Sequence, residues 1–130
     1  MSRPAFDPTG TVRVLGYEFA VEQRPLSDPL LADEGRKGAC NHSRALIAVA
    51  DSLAPDVKAE TVLHEIVHAV EHATDADLSE TQVARLARGL YAVCRDNERY
   101  MRALLFADAG PSPYANAPGL ARAARQRSKP

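Results

Sequence analysis

The sequence predicts an α+β fold, with strands in the first half and helices in the second. Three observations carry this. Apolar and polar residues alternate over 17–21, as in a half-buried strand. A mostly apolar run over 45–49 gives a second strand signal. From residue 56 onward the apolar spacing becomes that of two helices, separated by a short connection at 74–78. A chain of 130 residues suits one domain with one core. That domain is expected over 1–109, with a flexible basic tail over 110–130.

The elements follow in chain order. Pro4, Pro8 and Gly10 make 1–11 an irregular lead-in. Val12, Val14, Tyr17, Phe19 and Val21 then form a strand, or a strand pair bent at Gly16. Residues 23–38 hold two prolines and two glycines and read as a surface loop. Its length suits a flap over a cleft or structure that the pattern hides. Asn41-His42-Ser43 interrupts the front of the second strand signal, over 39–50, with a bulge or short turn. Pro55 and Asp56 suit the first turn of a helix predicted over 56–73, with Val62, Ile66, Ala69, Val70 and Ala73 as its apolar stripe. Ser79 and Gln82 have the spacing of a capping box. The helix they start is predicted over 80–106, kinked or interrupted at Asp96-Asn97. Its apolar positions, including Val83, Leu90 and Cys94, read as core.

Composition narrows the functional classes. There is no Trp and there are only three Phe and four Tyr, so the core is expected to be aliphatic. Cys40 and Cys94 form no C-x-x-C, and a reducing compartment fits. No apolar run reaches 18 residues, and Met-Ser-Arg-Pro lacks an apolar leader. A cytoplasmic protein without a membrane span is expected. Residues 1–109 hold 12 Lys/Arg against 17 Asp/Glu, a balance of −5, so nucleic acid is not the expected partner of the body. Arg122, Arg125, Arg127 and Lys129 give the tail a balance of +4 without an acid.

The chemistry-bearing stretch is His64-Glu65-Ile66-Val67-His68. On a helix, His68 lies about 40° round from His64 and roughly 6 Å along the axis, so both imidazoles can reach one zinc ion. Glu65 points about 100° away from His64, beside such a metal, where it can take a proton from metal-bound water. A catalytic zinc needs a third protein ligand. The acidic candidates are Glu71, Asp75, Asp77 and Glu80. Glu71 shares a row with the histidines and would approach from nearly the same side. Glu80, at the first turn of the second helix, can approach from elsewhere and is preferred. Glu71 can instead accept a hydrogen bond from a ligand histidine.

Tyr91 returns to almost the angular position of Glu80. It reads either as a hydroxyl directed at substrate or as a half-buried packing residue. His42 reads as a turn residue or as one facing the cleft. His72 diverges from the zinc-binding pair. Cys40 and Cys94 lack the pattern of a metal site or a nucleophile.

His64-Glu65-Ile66-Val67-His68-Ala69-Val70-Glu71, followed by Leu78-Ser79-Glu80-Thr81-Gln82-Val83-Ala84-Arg85-Leu86-Ala87-Arg88-Gly89-Leu90-Tyr91 and Arg95-Asp96-Asn97, resembles the small phage and prophage-type zinc metallopeptidases. These are similar to the gluzincin side of the zincin superfamily. The resemblance covers about 37–98 and is strongest over 61–97. It implies a minimal zincin-like fold, a small mixed sheet packed on an active-site helix and a second long helix. It also implies Glu80 as third zinc ligand and an edge strand around 45–49 that aligns an extended peptide. The expected function is zinc-dependent hydrolysis of a peptide or protein substrate. Glu65 would be the base, and zinc, with Tyr91, would stabilise the oxyanion. The alternative is a non-catalytic interaction or regulatory protein in which zinc staples the two helices.

Overall fold

A computed structural model describes residues 6–32, 36–107 and 110–114. Residues 115–130, with the four tail cations, lie outside the described residues, as do 1–5 of the lead-in and 33–35 of the long loop. The fold is α+β: a mixed four-stranded sheet covered by a long helix, with further helices after it.

The first strand signal is a hairpin. β1 (Gly10–Val14) and β2 (Tyr17–Arg24) pair antiparallel, with Val14 opposite Tyr17. Leu15 and Gly16 make the two-residue turn, both at positive φ (49° and 88°). That is the backbone twist a tight hairpin needs, and Gly16 supplies it without strain.

The expected surface loop is shorter than 23–38. β2 runs on to Arg24, and a short helix α1 (Pro29–Ala32) follows. Arg24 bonds Glu22 and Asp28, and Asp28 accepts from the Leu30 N–H. These polar contacts bring Leu31 over the sheet, where it is fully buried. Pro29 and the polar neighbours hide this structure from a periodicity reading.

The second strand signal is also a hairpin, β3 (Gly38–Asn41) and β4 (Leu46–Ala50), turned over His42–Ala45. The Asn41 carboxamide oxygen accepts from Ser43 Oγ and from the Arg44 N–H, which closes the turn. Strand order is β1-β2-β4-β3. β4 therefore lies inside the sheet, parallel to β2 and antiparallel to β3. This corrects the expectation that residues 45–49 form the edge. Every residue of β4 is buried, because both of its faces are covered. Ile47 and Val49 join Phe19, Val21 and Val62 on one face, while Ala48 and Ala50 meet Leu31 on the other. The edge strands are β1 and β3, and β3 is the one beside the cleft described below.

α2 (Pro55–Thr74) lies on the Ile47/Val49 face. It ends because Asp75 adopts the left-handed conformation (φ 57°), its N–H bonding Glu71 O. α3 (Glu80–Asp96) begins with the expected capping box: Ser79 Oγ accepts from the Gln82 N–H, and Gln82 Oε1 accepts from the Ser79 N–H. α3 packs on α2 through Val83, Ala87, Val67 and Leu63.

The predicted second helix is divided. Asn97 leaves helical geometry (φ −134°) and α4 (Glu98–Phe106) starts after it. Only Val83 and Ala87 of the expected core positions are buried. Leu86, Leu90, Cys94 and Leu104 are exposed, and among the described elements α4 meets only α3. Their periodicity fixes an apolar face, but the described residues provide nothing to cover it. Among the described residues no helix is long and apolar enough to cross a membrane.

Replacing Ser79 with Ala removes one half of the capping box. We expect about 1 kcal/mol of lost stability, seen as a lower midpoint of urea unfolding with an unchanged slope. An unchanged midpoint would show that the cap contributes nothing.

Candidate metal centre

α2 presents different faces to its neighbours. Val62, Ile66 and Ala69 meet the sheet, and Leu63 and Val67 meet α3. The remaining arc carries Thr61, His64, Glu65 and His68 into a cleft of about 620 Å³. Gly38, Cys40 and His42 line it from the side of β3, and Glu80, Ala84 and Arg88 from α3.

His64 Nε2 lies 2.7 Å from Glu80 Oε1, and His68 Nε2 lies 2.9 Å from Glu80 Oε2. One carboxylate thus engages both imidazoles, which sit one turn apart with ring centroids at 5.0 Å. Partial burial works to raise the Glu80 pKa. The charges of His68 and His64 and their hydrogen bonds outweigh it, and the carboxyl lies below its ordinary value. Glu80 occupies the first turn of α3, where the helix dipole also favours a negative charge.

Glu71 stands behind His68. Its Oε2 is 3.8 Å from His68 Nδ1, is buried, and has no hydrogen bond. An orphaned carboxylate oxygen facing the second ring nitrogen suits a histidine that uses Nε2 for a metal. Asp75 and Asp77 belong to the connection between α2 and α3, both at positive φ, and do not line the cleft.

Glu65 is the one buried charged residue among those described, 5% exposed. Burial, reinforced by the charge of Glu80, pushes its pKa up to about 8, against an opposing pull from Arg36. Burial and the nearby Glu65 also push the Cys40 thiol up to about 12, which keeps it protonated and a poor nucleophile. His42 stacks on His72 with ring centroids 4.1 Å apart. Its pKa is lowered by burial and by the charges of His72 and His68.

The donor set fits zinc. It offers two imidazole nitrogens and a carboxylate from two helices, on the open wall of a cleft, with a carboxylate behind one histidine. The ligand atoms of His64, Glu65 and His68 also lie within 4.8 Å of one another. Glu80 is the better third ligand, because its two oxygens already meet both Nε2 atoms. No family model, curated protein or solved structure matches the chain. What can be said of the site therefore comes from its geometry.

His64, Glu65, His68 and Glu80 come together in the cleft; Tyr91 does not. It is half-buried, with the Arg95 guanidinium 5.8 Å from its ring centroid, and is absent from the cleft lining. Eleven residues restore the angular direction of Glu80 but displace Tyr91 by about 16 Å along the helix.

Gly38 belongs to the site without having been expected there. A Cβ at this position would stand 2.6 Å from Thr61 Cγ2, 3.1 Å from Ala48 O and 3.2 Å from Glu65 Oε2. Glycine lets β3 lie directly against the buried carboxylate. An isolated glycine opening an apolar strand is the available signal for such an approach.

Gly38→Ala is expected to cost about 1–3 kcal/mol through overpacking, measured by denaturant unfolding. Thr61 is pinned by its hydroxyl donating to Val57 O at 2.7 Å. Adding Thr61→Ser removes the obstructing methyl and should recover most of the loss. No recovery would place the strain elsewhere.

Proposed function

We propose that the protein is a zinc-dependent peptide hydrolase of the zincin type, acting in the cytoplasm. The observation that carries the reading is one Glu80 carboxylate meeting both His64 Nε2 and His68 Nε2 beside the buried Glu65. His64, His68 and Glu80 would hold the metal. When bound, zinc supplies a Lewis acid that makes water more acidic and polarises a carbonyl.

The chain's own residues do the rest. A Glu65 carboxylate oxygen accepts the proton of the attacking water and returns it to the leaving amine. Its burial raises its proton affinity above that of an exposed carboxylate, which makes it a stronger base once ionised. Glu71 orients His68 from behind. β3 borders the cleft as an edge strand, and its outer backbone groups can pair with an extended peptide. Two free cysteines suit a reducing compartment.

A second reading has a specific observation behind it. The apolar contact between α2 and α3 is small, centred on Val67, Val83 and Ala87. A metal held by both helices would staple them, as in a non-catalytic interaction or regulatory protein. Glu65 distinguishes the readings, since a staple does not need it.

Glu65→Gln should retain zinc, measured by elemental analysis, while peptide hydrolysis falls by about 10²–10⁴. Unchanged hydrolysis would remove Glu65 as the base. Glu80→Ala should lose most bound zinc after dialysis against a weak chelator. Full retention would assign the third ligand to another residue.

A further inference from the structure

α3 and α4 present an apolar surface that the described chain leaves open. Leu86, Leu90 and Val93 recur at the spacing of one helical face, and each is 46–49% exposed. α4 has nine residues and buries none of them, with Tyr100, Leu104 and Phe106 each 62–71% exposed. A helix that short does not persist in water on its own propensity and needs something to pack on. The rest of the 130 residues is poorly equipped to supply it. Outside the described residues the only large apolar side chains are Met1 and Leu120.

The charges beside the stripe are arranged as a complement to themselves. Arg85 and Asp96 lie eleven residues apart, about three turns of α3, and so share one flank of the stripe with Leu90 midway between them. Both are exposed, and neither has an ion pair among the described residues. In antiparallel helices like flanks meet, so a second copy laid antiparallel on this face brings Arg85 of each opposite Asp96 of the other. The two-fold axis then passes beside Leu90, at the centre of the stripe. Gly89 stands at that level, and a Cβ there would meet nothing within 4 Å. The described packing therefore does not require glycine inside α3, whereas close approach of another backbone accounts for it. Arg88 and Arg95 point about 170° away from the stripe, so like charges stay apart in the pair. An anionic membrane would instead want its cations beside the apolar face.

The area is also that of a stable pair. Seven large apolar side chains of α3 and α4, each about half open or more, present on the order of 700 Å², close to the ~800 Å² per partner of a standard interface. We propose that two copies of this chain associate through α3 and α4, antiparallel about a two-fold axis beside Leu90, with reciprocal Arg85–Asp96 ion pairs. Leu86, Leu90 and Val93 do not line the cleft, so both clefts stay open.

The test is sedimentation velocity of the full chain from about 1 to 100 µM, since association depends on protomer concentration. A mass near twice 14.1 kDa is expected at the upper end. Leu90→Glu should weaken association on the order of a hundredfold, and Arg85→Glu on the order of tenfold. Combining Arg85→Glu with Asp96→Arg should restore it. Hydrogen exchange should find α4 protected in the pair and open in the Leu90→Glu monomer. If Leu90→Glu loses the circular-dichroism signal of the folded chain, Leu104→Glu, on a helix with no buried residue, takes its place.

A single-protomer mass at about 100 µM would overturn the proposal. So would a pair that Leu90→Glu and Leu104→Glu both leave intact, or a mass that climbs past two copies with concentration. A monomer whose urea midpoint falls in Leu90→Glu would overturn it too, and would give the face to the chain's own residues 115–130. Failure of the charge swap to restore association would overturn the antiparallel register.

Discussion

Two imidazole nitrogens meeting one carboxylate determine how the second half of the chain is arranged. An apolar seam of Val67, Val83 and Ala87 joins α2 to α3. The approach of Glu80 to His64 and His68 adds a polar constraint to it. It depends on an abrupt end to α2 and an equally definite start to α3. Asp75 and Asp77 accept left-handed backbone at a cost of about 1–2 kcal/mol each. Ser79 and Gln82 then satisfy the N–H groups of the new helix. The connection is short because the carboxylate at its far end must return to the histidines.

The opposite wall is organised around a different difficulty, a carboxylate taken out of water. Glu65 is buried because β3 lies directly on it, and β3 can do so because residue 38 has no side chain. The same burial raises the proton affinity of Glu65 and keeps the Cys40 thiol protonated. A hydrophobic sheet face and a proton-accepting group are thereby made by one strand. The wall that carries His64, His68 and Glu80 is open and the one that carries Glu65 is closed.

Much of this arrangement was legible in the residues, and the failures have physical causes. The histidine pair one turn apart, the capping box and the break near Asn97 follow from local spacing, which the backbone obeys. The position of Tyr91 shows the limit of such reasoning, since helical phase gives direction and says nothing of depth. The run 46–50 carried its own correction: five successive apolar residues describe a strand covered on both faces, which belongs inside a sheet. The edge expected there came from resemblance and ran against that pattern. Gly38 was read as part of a loop because the partner that requires it, Glu65, is distant in sequence. The apolar face of α3 and α4 was legible as a face, whereas its exposure depends on what the rest of the chain can reach.

The parallel pairing of β2 with β4 has a consequence for the order of assembly. Ala20 stands opposite Leu46, so joining these strands closes a long loop that contains α1 and β3. The β3–β4 and α2–α3 contacts join neighbouring segments and require far less chain entropy. Every residue lining the cleft lies between Arg36 and Arg88, within or beside those local units. Docking of the N-terminal hairpin is thus the slow topological event, and the chemical groups can gather before the sheet is complete.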